Sequence, residues 1–347
     1  MKGNEAIGEA AIHAGCRYYF GYPITPQSEL TAYMARRLLK IEGAAFIQAE
    51  SEIAAINMVY GAAAAGGRVM TSSSGPGISL KQEGISYLAC AELPCVIVNM
   101  MRGGPGLGSI QPAQGDYFQA TKGGGHGDYH LIVLAPSSVQ ELVDLTIKAF
   151  DLADKYRNPA MILGDGLLGQ MMEPVQFKEF RKESIPSKED WALSSCHGRK
   201  PRRIVPFNLD PDELEKIVNK IGRKYEDLPK EVQYEVVNMN NPDIVVVAYG
   251  TVARVVKTVI QKGEKEGINI GLIRPITLYP FPYAVINDAA NKVKQILVAE
   301  MSLGQMIEDV KLAANGKSKV FFYGRTGGVV ISPLEIFEEV KKILNQN

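Results

Sequence analysis

The sequence predicts an α/β fold with two mainly parallel sheets, and three observations carry that expectation. Short, nearly continuous apolar runs such as Cys95-Val96-Ile97-Val98-Asn99-Met100 alternate with longer segments of helical period. Such runs are the mark of strands covered on both faces. The alternation loosens over residues 173–241, where proline and charge rise, and restarts at Pro242-Asp243-Ile244-Val245-Val246-Val247. Finally, 347 residues exceed what one hydrophobic core usually serves. The expected division is an α/β domain over 1–172, a linker or excursion with one helix over 173–241, and a second α/β domain over 242–347.

Each element has a local reason. Asn4 to Ala14 reads as a helix, with Asn4 as N-cap and Gly15 as its stop. Tyr18 to Tyr22 is a strand running into the Pro23-Ile24-Thr25-Pro26 loop, and Ser28 to Leu39 is helical. Strand Ala45–Gln48 leads to helix Glu52–Ala65; strand Arg68–Thr71 leads to a Gly75-Pro76-Gly77 turn and helix Leu80–Ala91. After the strand at Cys95–Met100, the glycine-rich stretch Gly103–Gly127 reads mainly as loop. Leu131–Leu134 is a strand, Ser137–Lys155 a helix capped by Ser137 or Ser138 with Glu141 in its first turn, and Ala160–Leu163 a closing strand. The excursion carries one helix, Asp210–Tyr225. It could pack against another subunit. In the second domain, strands at 242–250, Ile268–Ile273, Gln295–Glu300 and Lys319–Tyr323 accompany a helix at Ala253–Glu266. A last helix begins at Ser332-Pro333 and repeats Leu334, Ile336, Phe337, Val340, Ile343 and Leu344 at helical spacing.

Composition excludes several function classes. Lys plus Arg and Asp plus Glu both number 38, so no long-range field favours nucleic acid. The basic cluster Arg199, Lys200, Arg202 and Arg203 lacks interleaved aromatics and reads as solvated linker or chain contact. The four cysteines, Cys16, Cys90, Cys95 and Cys196, form no C-x-x-C pair, which argues against an iron–sulfur cluster on this chain. They read as reduced, mostly buried thiols of a cytoplasmic protein. No apolar run reaches membrane-spanning length, and the N-terminus shows no signal-peptide pattern.

Two segments are the most informative. In Gly21-Tyr22-Pro23-Ile24-Thr25-Pro26 a lone hydroxyl, Thr25, stands between prolines that restrict the backbone. In Gln48-Ala49-Glu50-Ser51-Glu52-Ile53-Ala54-Ala55 an acidic pair opens a run of small apolar residues. Glu52 at a buried helix start gains from the helix dipole but needs a partner; Glu50 is the weaker candidate. Arg102 follows a buried strand, at the edge where parallel-sheet sites form, and offers a planar fork to a carboxylate. Gly104-Pro105-Gly106-Leu107-Gly108 lacks a G-x-G-x-x-G fingerprint, and its proline withholds an amide from any phosphate. It reads as the lining of a substrate funnel or a subunit seam. His126, in Gly125-His126-Gly127-Asp128, reads equally as a mobile proton carrier or a turn cap. His13 reads as structural.

These motifs resemble the 2-oxoacid:ferredoxin oxidoreductases, thiamine diphosphate enzymes, and specifically their pyrimidine-binding domain. The resemblance extends through Thr71-Ser72-Ser73-Ser74-Gly75-Pro76-Gly77, Met101-Arg102-Gly103-Gly104-Pro105, Gly124-Gly125-His126-Gly127-Asp128, Leu272-Ile273-Arg274-Pro275-Ile276-Thr277-Leu278-Tyr279-Pro280-Phe281-Pro282, Glu300-Met301-Ser302-Leu303-Gly304-Gln305-Met306 and Gly324-Arg325-Thr326-Gly327-Gly328. The chain is most similar to the long alpha-type subunit found in branched-chain 2-oxoacid (2-oxoisovalerate) enzymes. The resemblance implies a thiamine pyrimidine-binding domain followed by a transketolase C-terminal-like domain. It implies that Glu52 bonds N1′ of the cofactor as a catalytic group, and that Thr25 and Arg102 meet the substrate carboxylate. It further implies a beta-type partner carrying the diphosphate and Mg²⁺, gamma-type and small ferredoxin-like subunits with iron–sulfur clusters, coenzyme A as co-substrate and ferredoxin as acceptor. Gly164-Asp165-Gly166 mimics the start of a diphosphate–Mg²⁺ motif, but no Asn follows before Asn208, so it is expected to be a strand-end turn. The same reaction on 2-oxoglutarate or pyruvate is the alternative. A Rossmann-like oxidoreductase lacks its glycine fingerprint here, and a non-catalytic assembly subunit would leave Glu52 without a role.

Overall fold

The central strands of the first half are buried at every position, the mark of a sheet covered on both faces. The computed structural model describes residues 1–177 and 185–346. In chain order the first half runs α1 (Gly3–His13), β1 (Tyr18–Gly21), α2 (Ser28–Leu38), β2 (Ala45–Gln48), α3 (Glu52–Ala64), β3 (Val69–Ser73), α4 (Pro76–Cys90), β4 (Val96–Met101), α5 (Tyr117–Thr121), β5 (Ile132–Leu134), α6 (Val139–Tyr156), β6 (Ala160–Asp165) and α7 (Gly166–Gln170). Val69 and Ile97 point to one face, where they pack with Ala55, Ile56 and Val59 of α3 and Ile85 and Leu88 of α4. Their neighbours Met70, Val96 and Val98 point to the other, against Ile7, Leu30, Met34, Leu142 and Phe150 of α1, α2 and α6.

The rest of the chain runs α8 (Pro211–Asp227), β7 (Tyr234–Val237), β8 (Ile244–Val247), α9 (Gly250–Glu266), β9 (Ile270–Pro275), β10 (Thr277–Tyr279), α10 (Tyr283–Ala290), β11 (Gln295–Glu300), α11 (Met306–Ala314), β12 (Lys319–Gly324) and α12 (Pro333–Leu344). The strand order is β10-β5-β6-β4-β3-β1-β2 in the seven-stranded sheet and β12-β11-β8-β9-β7 in the five-stranded one. Both sheets are parallel except at one edge, where β10 and β7 pair antiparallel with β5 and β9. One face of the second sheet, Val245, Val247, Ile296 and Val298, shares a core with the first half, while Val246 and Leu297 pack under α9 and α12.

Several sequence expectations need correction. Lys2, not Asn4, occupies the N-cap of α1. Asn4 lies inside the helix, buried, and donates to the Pro26 carbonyl at 2.8 Å. Gly75-Pro76-Gly77 is no free turn: Pro76 opens α4, where its missing N–H costs nothing. A short helix, α5, interrupts the Gly103–Gly127 loop. Gly164 and Asp165 remain in β6, and Asp165 caps α7 by accepting from the Leu167 and Leu168 amides, so the expected strand-end turn does not form. The described part of the excursion packs on its own chain: Lys188 pairs with Asp154 at 2.7 Å, and the Arg157 guanidinium stacks over Trp191. No helix among the described residues is long and apolar enough to cross a membrane.

Candidate functional site

The C-terminal ends of the central strands place the residues singled out from the sequence. Ser51 caps α3, its hydroxyl accepting from the Ala54 amide at 3.1 Å, and this fixes Glu52 in the first turn. Glu52 is only 6% exposed, and its carboxylate accepts no hydrogen bond from the described residues. It lies against the start of α4: a Cβ at Gly77 would stand 2.5 Å from its Oε1 and 2.2 Å from Ser73 Oγ. Only glycine fits there, and the helix start is thereby drawn onto the carboxylate. The buried hydroxyls of Ser73 and Ser74 likewise find no partner. Glu50 is exposed.

Arg102 directly follows β4 and is 9% exposed. Its Nη1 donates to the Thr25 carbonyl at 3.0 Å and its Nη2 to the Leu107 carbonyl at 2.7 Å, while Nε–H has no acceptor. Two of five donors are used, which leaves a fork for a further anion. Thr25 therefore meets Arg102 through its main chain; its side chain belongs to an exposed residue. Arg102 lines a cavity of about 850 Å³ with Gly104–Leu107, the start of α4 (Pro76, Ser79), and Ser302 and Thr326 from the second half. The glycine–proline loop is thus part of a cavity wall built by both halves.

Asp116 also lines this cavity and escaped sequence reasoning. Burial raises its carboxyl above the ordinary value, against the lowering effects of a hydrogen bond from Asn99 Nδ2 at 2.9 Å and of the Arg102 charge. The available signal was Asn99, an amide inside an otherwise apolar strand. Lys81, on α4, is a second omission: fully buried, it donates to Thr71 Oγ1 at 3.1 Å. Two expected residues stand outside this group. His126 is exposed and uses its carbonyl to accept from Ser86 Oγ; like Glu52 and Thr25, it does not line the cavity. Asp165 is committed to capping α7. Among the described residues no cluster of three or more His, Cys, Asp or Glu side chains is disposed to hold a metal ion. A second cavity, about 640 Å³, is walled by Tyr225, Tyr279, Phe281 and Tyr283, and its half-buried His130 stacks on Tyr279.

Known proteins resemble the chain over both of its halves. The family model described as pyruvate flavodoxin/ferredoxin oxidoreductase, thiamine diphosphate-binding, matches residues 9–232. That of pyruvate:ferredoxin oxidoreductase core domain II matches residues 242–336. Ketoisovalerate oxidoreductase subunit VorB of Methanothermobacter thermautotrophicus is 51% identical over 346 residues, 99% of this chain and 97% of the relative. 2-Oxoglutarate synthase subunit KorA of the same organism is 37% identical, over 99% and 98% of the two chains. Among solved structures, a 2-oxoglutarate:ferredoxin oxidoreductase from Magnetococcus marinus, with 2-oxoglutarate, coenzyme A and succinyl-CoA bound, superposes with a TM-score of 0.84 at 28% identity. It is covered over 99% of this chain and 65% of that one. A split-gene transketolase, at 14% identity and a TM-score of 0.63, shares the fold over 99% of this chain and 98% of its own. The chain belongs to the 2-oxoacid:ferredoxin oxidoreductase family, as an oxidoreductase subunit that joins a thiamine diphosphate-binding α/β domain to a transketolase C-terminal-like domain.

Proposed function

We propose that this chain is the alpha-type subunit of an enzyme that oxidatively decarboxylates a branched-chain 2-oxoacid, 2-oxoisovalerate, to an acyl-CoA and reduces ferredoxin. The observation that carries the reading is Glu52, a buried carboxylate that no described residue of its own chain supplies with a hydrogen-bond donor. Such a carboxylate is open to a donor from a ligand. An aminopyrimidine edge seated beside Gly77 and Ser73 would supply one, so these residues fit thiamine diphosphate. When bound, that cofactor supplies the carbon nucleophile that a 2-oxoacid decarboxylation requires. Glu52 holds the ring at N1′ and exchanges a proton there. Arg102 receives the substrate carboxylate on its free donors, with the Thr25 loop held in place by the same guanidinium. The apolar wall residues Leu107, Met301 and Leu303 suit an aliphatic side chain.

In this reading the diphosphate and Mg²⁺ belong to a beta-type partner, and iron–sulfur clusters to gamma-type and small ferredoxin-like subunits, all in the cytoplasm. Coenzyme A is the co-substrate, as the bound ligands of the Magnetococcus enzyme suggest. The KorA relatives and that same structure support 2-oxoglutarate as the second reading.

Two measurements on the complex reconstituted with its partner subunits test this. Glu52→Gln should leave cofactor binding intact yet slow hydrogen–deuterium exchange at thiamine C2 at least about a hundredfold, the low end for a positioned acid–base group. Exchange at the wild-type rate would remove Glu52 from the site. Ferredoxin reduction with 2-oxoisovalerate, 2-oxoglutarate and pyruvate should show the highest kcat/KM for 2-oxoisovalerate; a preference for either other acid would replace that substrate assignment.

A further inference from the structure

Lys81 is used by nothing derived so far. It is 0% exposed, a state a lysine rarely reaches without partners. Its ammonium donates to Thr71 Oγ1 at 3.1 Å and, weakly, to the Glu52 main-chain carbonyl at 3.5 Å. Both acceptors are neutral, so neither balances the charge. The one charged group acting on it is Glu52, from α3; β3 contributes only the Thr71 hydroxyl. Lys81 reaches the main chain of Glu52 and not its carboxylate, which stays turned toward Gly77 and Ser73. The ammonium therefore approaches Glu52 from its main-chain side and makes no hydrogen bond with the carboxylate.

We propose that Lys81 is a positioning residue for Glu52: its buried positive charge holds the carboxylate anionic, so that the proton shared with the aminopyrimidine rests on N1′. The inference rests on the reading of Glu52 given above. A unit charge several ångströms from the carboxylate, at an effective dielectric of about 20, stabilises the carboxylate more than it repels the protonated N1′ one hydrogen bond further away, a net shift of roughly fivefold. A lysine that only tied α3 to α4 would change stability and leave the proton where it was. Burial draws the Lys81 ammonium down to about 8, against the opposing pull of Glu52, so the charge itself can be switched off by moderate alkali.

The test uses the reconstituted complex loaded with thiamine diphosphate carrying nitrogen-15 at N1′, whose resonance reports the protonated fraction of that nitrogen. Lys81→Met removes the charge and retains an unbranched apolar side chain in the buried slot. Its ratio of protonated to unprotonated N1′ should fall roughly fivefold. Raising the pH through about 8 should move the wild-type resonance in the same direction, and the part of that step due to Lys81 should be missing in Lys81→Met. Glu52→Gln separates the two layers of the argument. A wild-type resonance in Glu52→Gln overturns the reading of Glu52 itself. A changed resonance in Glu52→Gln, with N1′ at about pH 7 unmoved by Lys81→Met, overturns the role of Lys81 and leaves Glu52 in place. If Lys81→Met fails to assemble, Lys81→Gln, which removes the same charge and keeps a polar end for Thr71 Oγ1, takes its place.

Discussion

Arg102 does two things with one guanidinium: it braces the Thr25 and Leu107 carbonyls and keeps three donors for an incoming anion. Arg102→Ala should therefore raise KM for the 2-oxoacid by about tenfold to a hundredfold, the equivalent of one charge-assisted hydrogen bond worth about 1.5–3 kcal/mol. Arg102→Lys should recover only part, because a point charge cannot hold two carbonyls and a carboxylate at once. Steady-state kinetics of the reconstituted complex checks this; an unchanged KM in Arg102→Ala would leave Arg102 as a loop brace only. The motifs made Arg102 and Glu52 legible in the sequence, since Arg102 directly follows a strand and Glu52 opens a helix. Lys81 was not legible, for a physical reason. It follows Leu80, and polarity alone would bury the leucine and expose the lysine, yet Leu80 is 49% exposed and Lys81 fully buried. Helical period places both near one face boundary, and only the position of α3 decides which goes inside. Asp116 was hidden in the same way by loop sequence without periodicity.

Elements were legible where period and caps agreed. The Ser138 hydroxyl accepts from Glu141 N at 3.1 Å, while the Glu141 carboxylate accepts from Ser137 N at 2.7 Å, so both serines of the expected cap take part. Ser332 and Glu335 form a reciprocal capping box at α12. Helix α8 begins beside Asp210, which accepts from the Asp212 and Glu213 amides. What failed were elements too short to show a period, or held by contacts from afar. β10 has three residues, lies between Pro275 and Pro280, and exists only because β5 offers an edge. β7 falls in polar sequence with alternate residues exposed, and pairing with β9 supplies its order. α11 begins where the Glu300 carboxylate accepts from the Gln305, Met306 and Ile307 amides. That carboxylate caps from five to seven residues upstream, outside the local window in which caps are read. Asn4 shows the converse: a good N-cap residue drawn into the helix because the Pro26 carbonyl needs its amide.

At the scale of the molecule, the cavity beside Arg102 exists only while the two halves stay in register, and Arg274 holds one crossing point between them. It closes β9 just before the chain passes through β10 to the first sheet. Its side chain is buried and bidentate to Glu141 of α6, at 2.9 and 2.7 Å, while Nε donates to Glu235 of β7 at 2.7 Å. Burial alone would raise the Glu235 carboxyl, but hydrogen bonds from Lys257 and Arg274 outweigh it and hold the group below its ordinary value of 4.5. A carboxyl depressed in the folded state contributes stability that is fully present above its unfolded value and is lost as the pH falls through the folded one. Arg274→Met leaves two carboxylates without their shared cation. It should cost about 3 kcal/mol at pH 7, the low end for breaking a buried pair because both glutamates keep some contact with water. The thermal midpoint of the full chain, followed from pH 7 to pH 3, is the measurement. The gap between wild type and Arg274→Met should be widest at neutral pH and should narrow as the pH drops below about 4.5, where protonation removes the advantage that the arginine supplies. A gap that stays constant across that range would mean that Arg274 holds the halves together by packing of its stem and not by its charge.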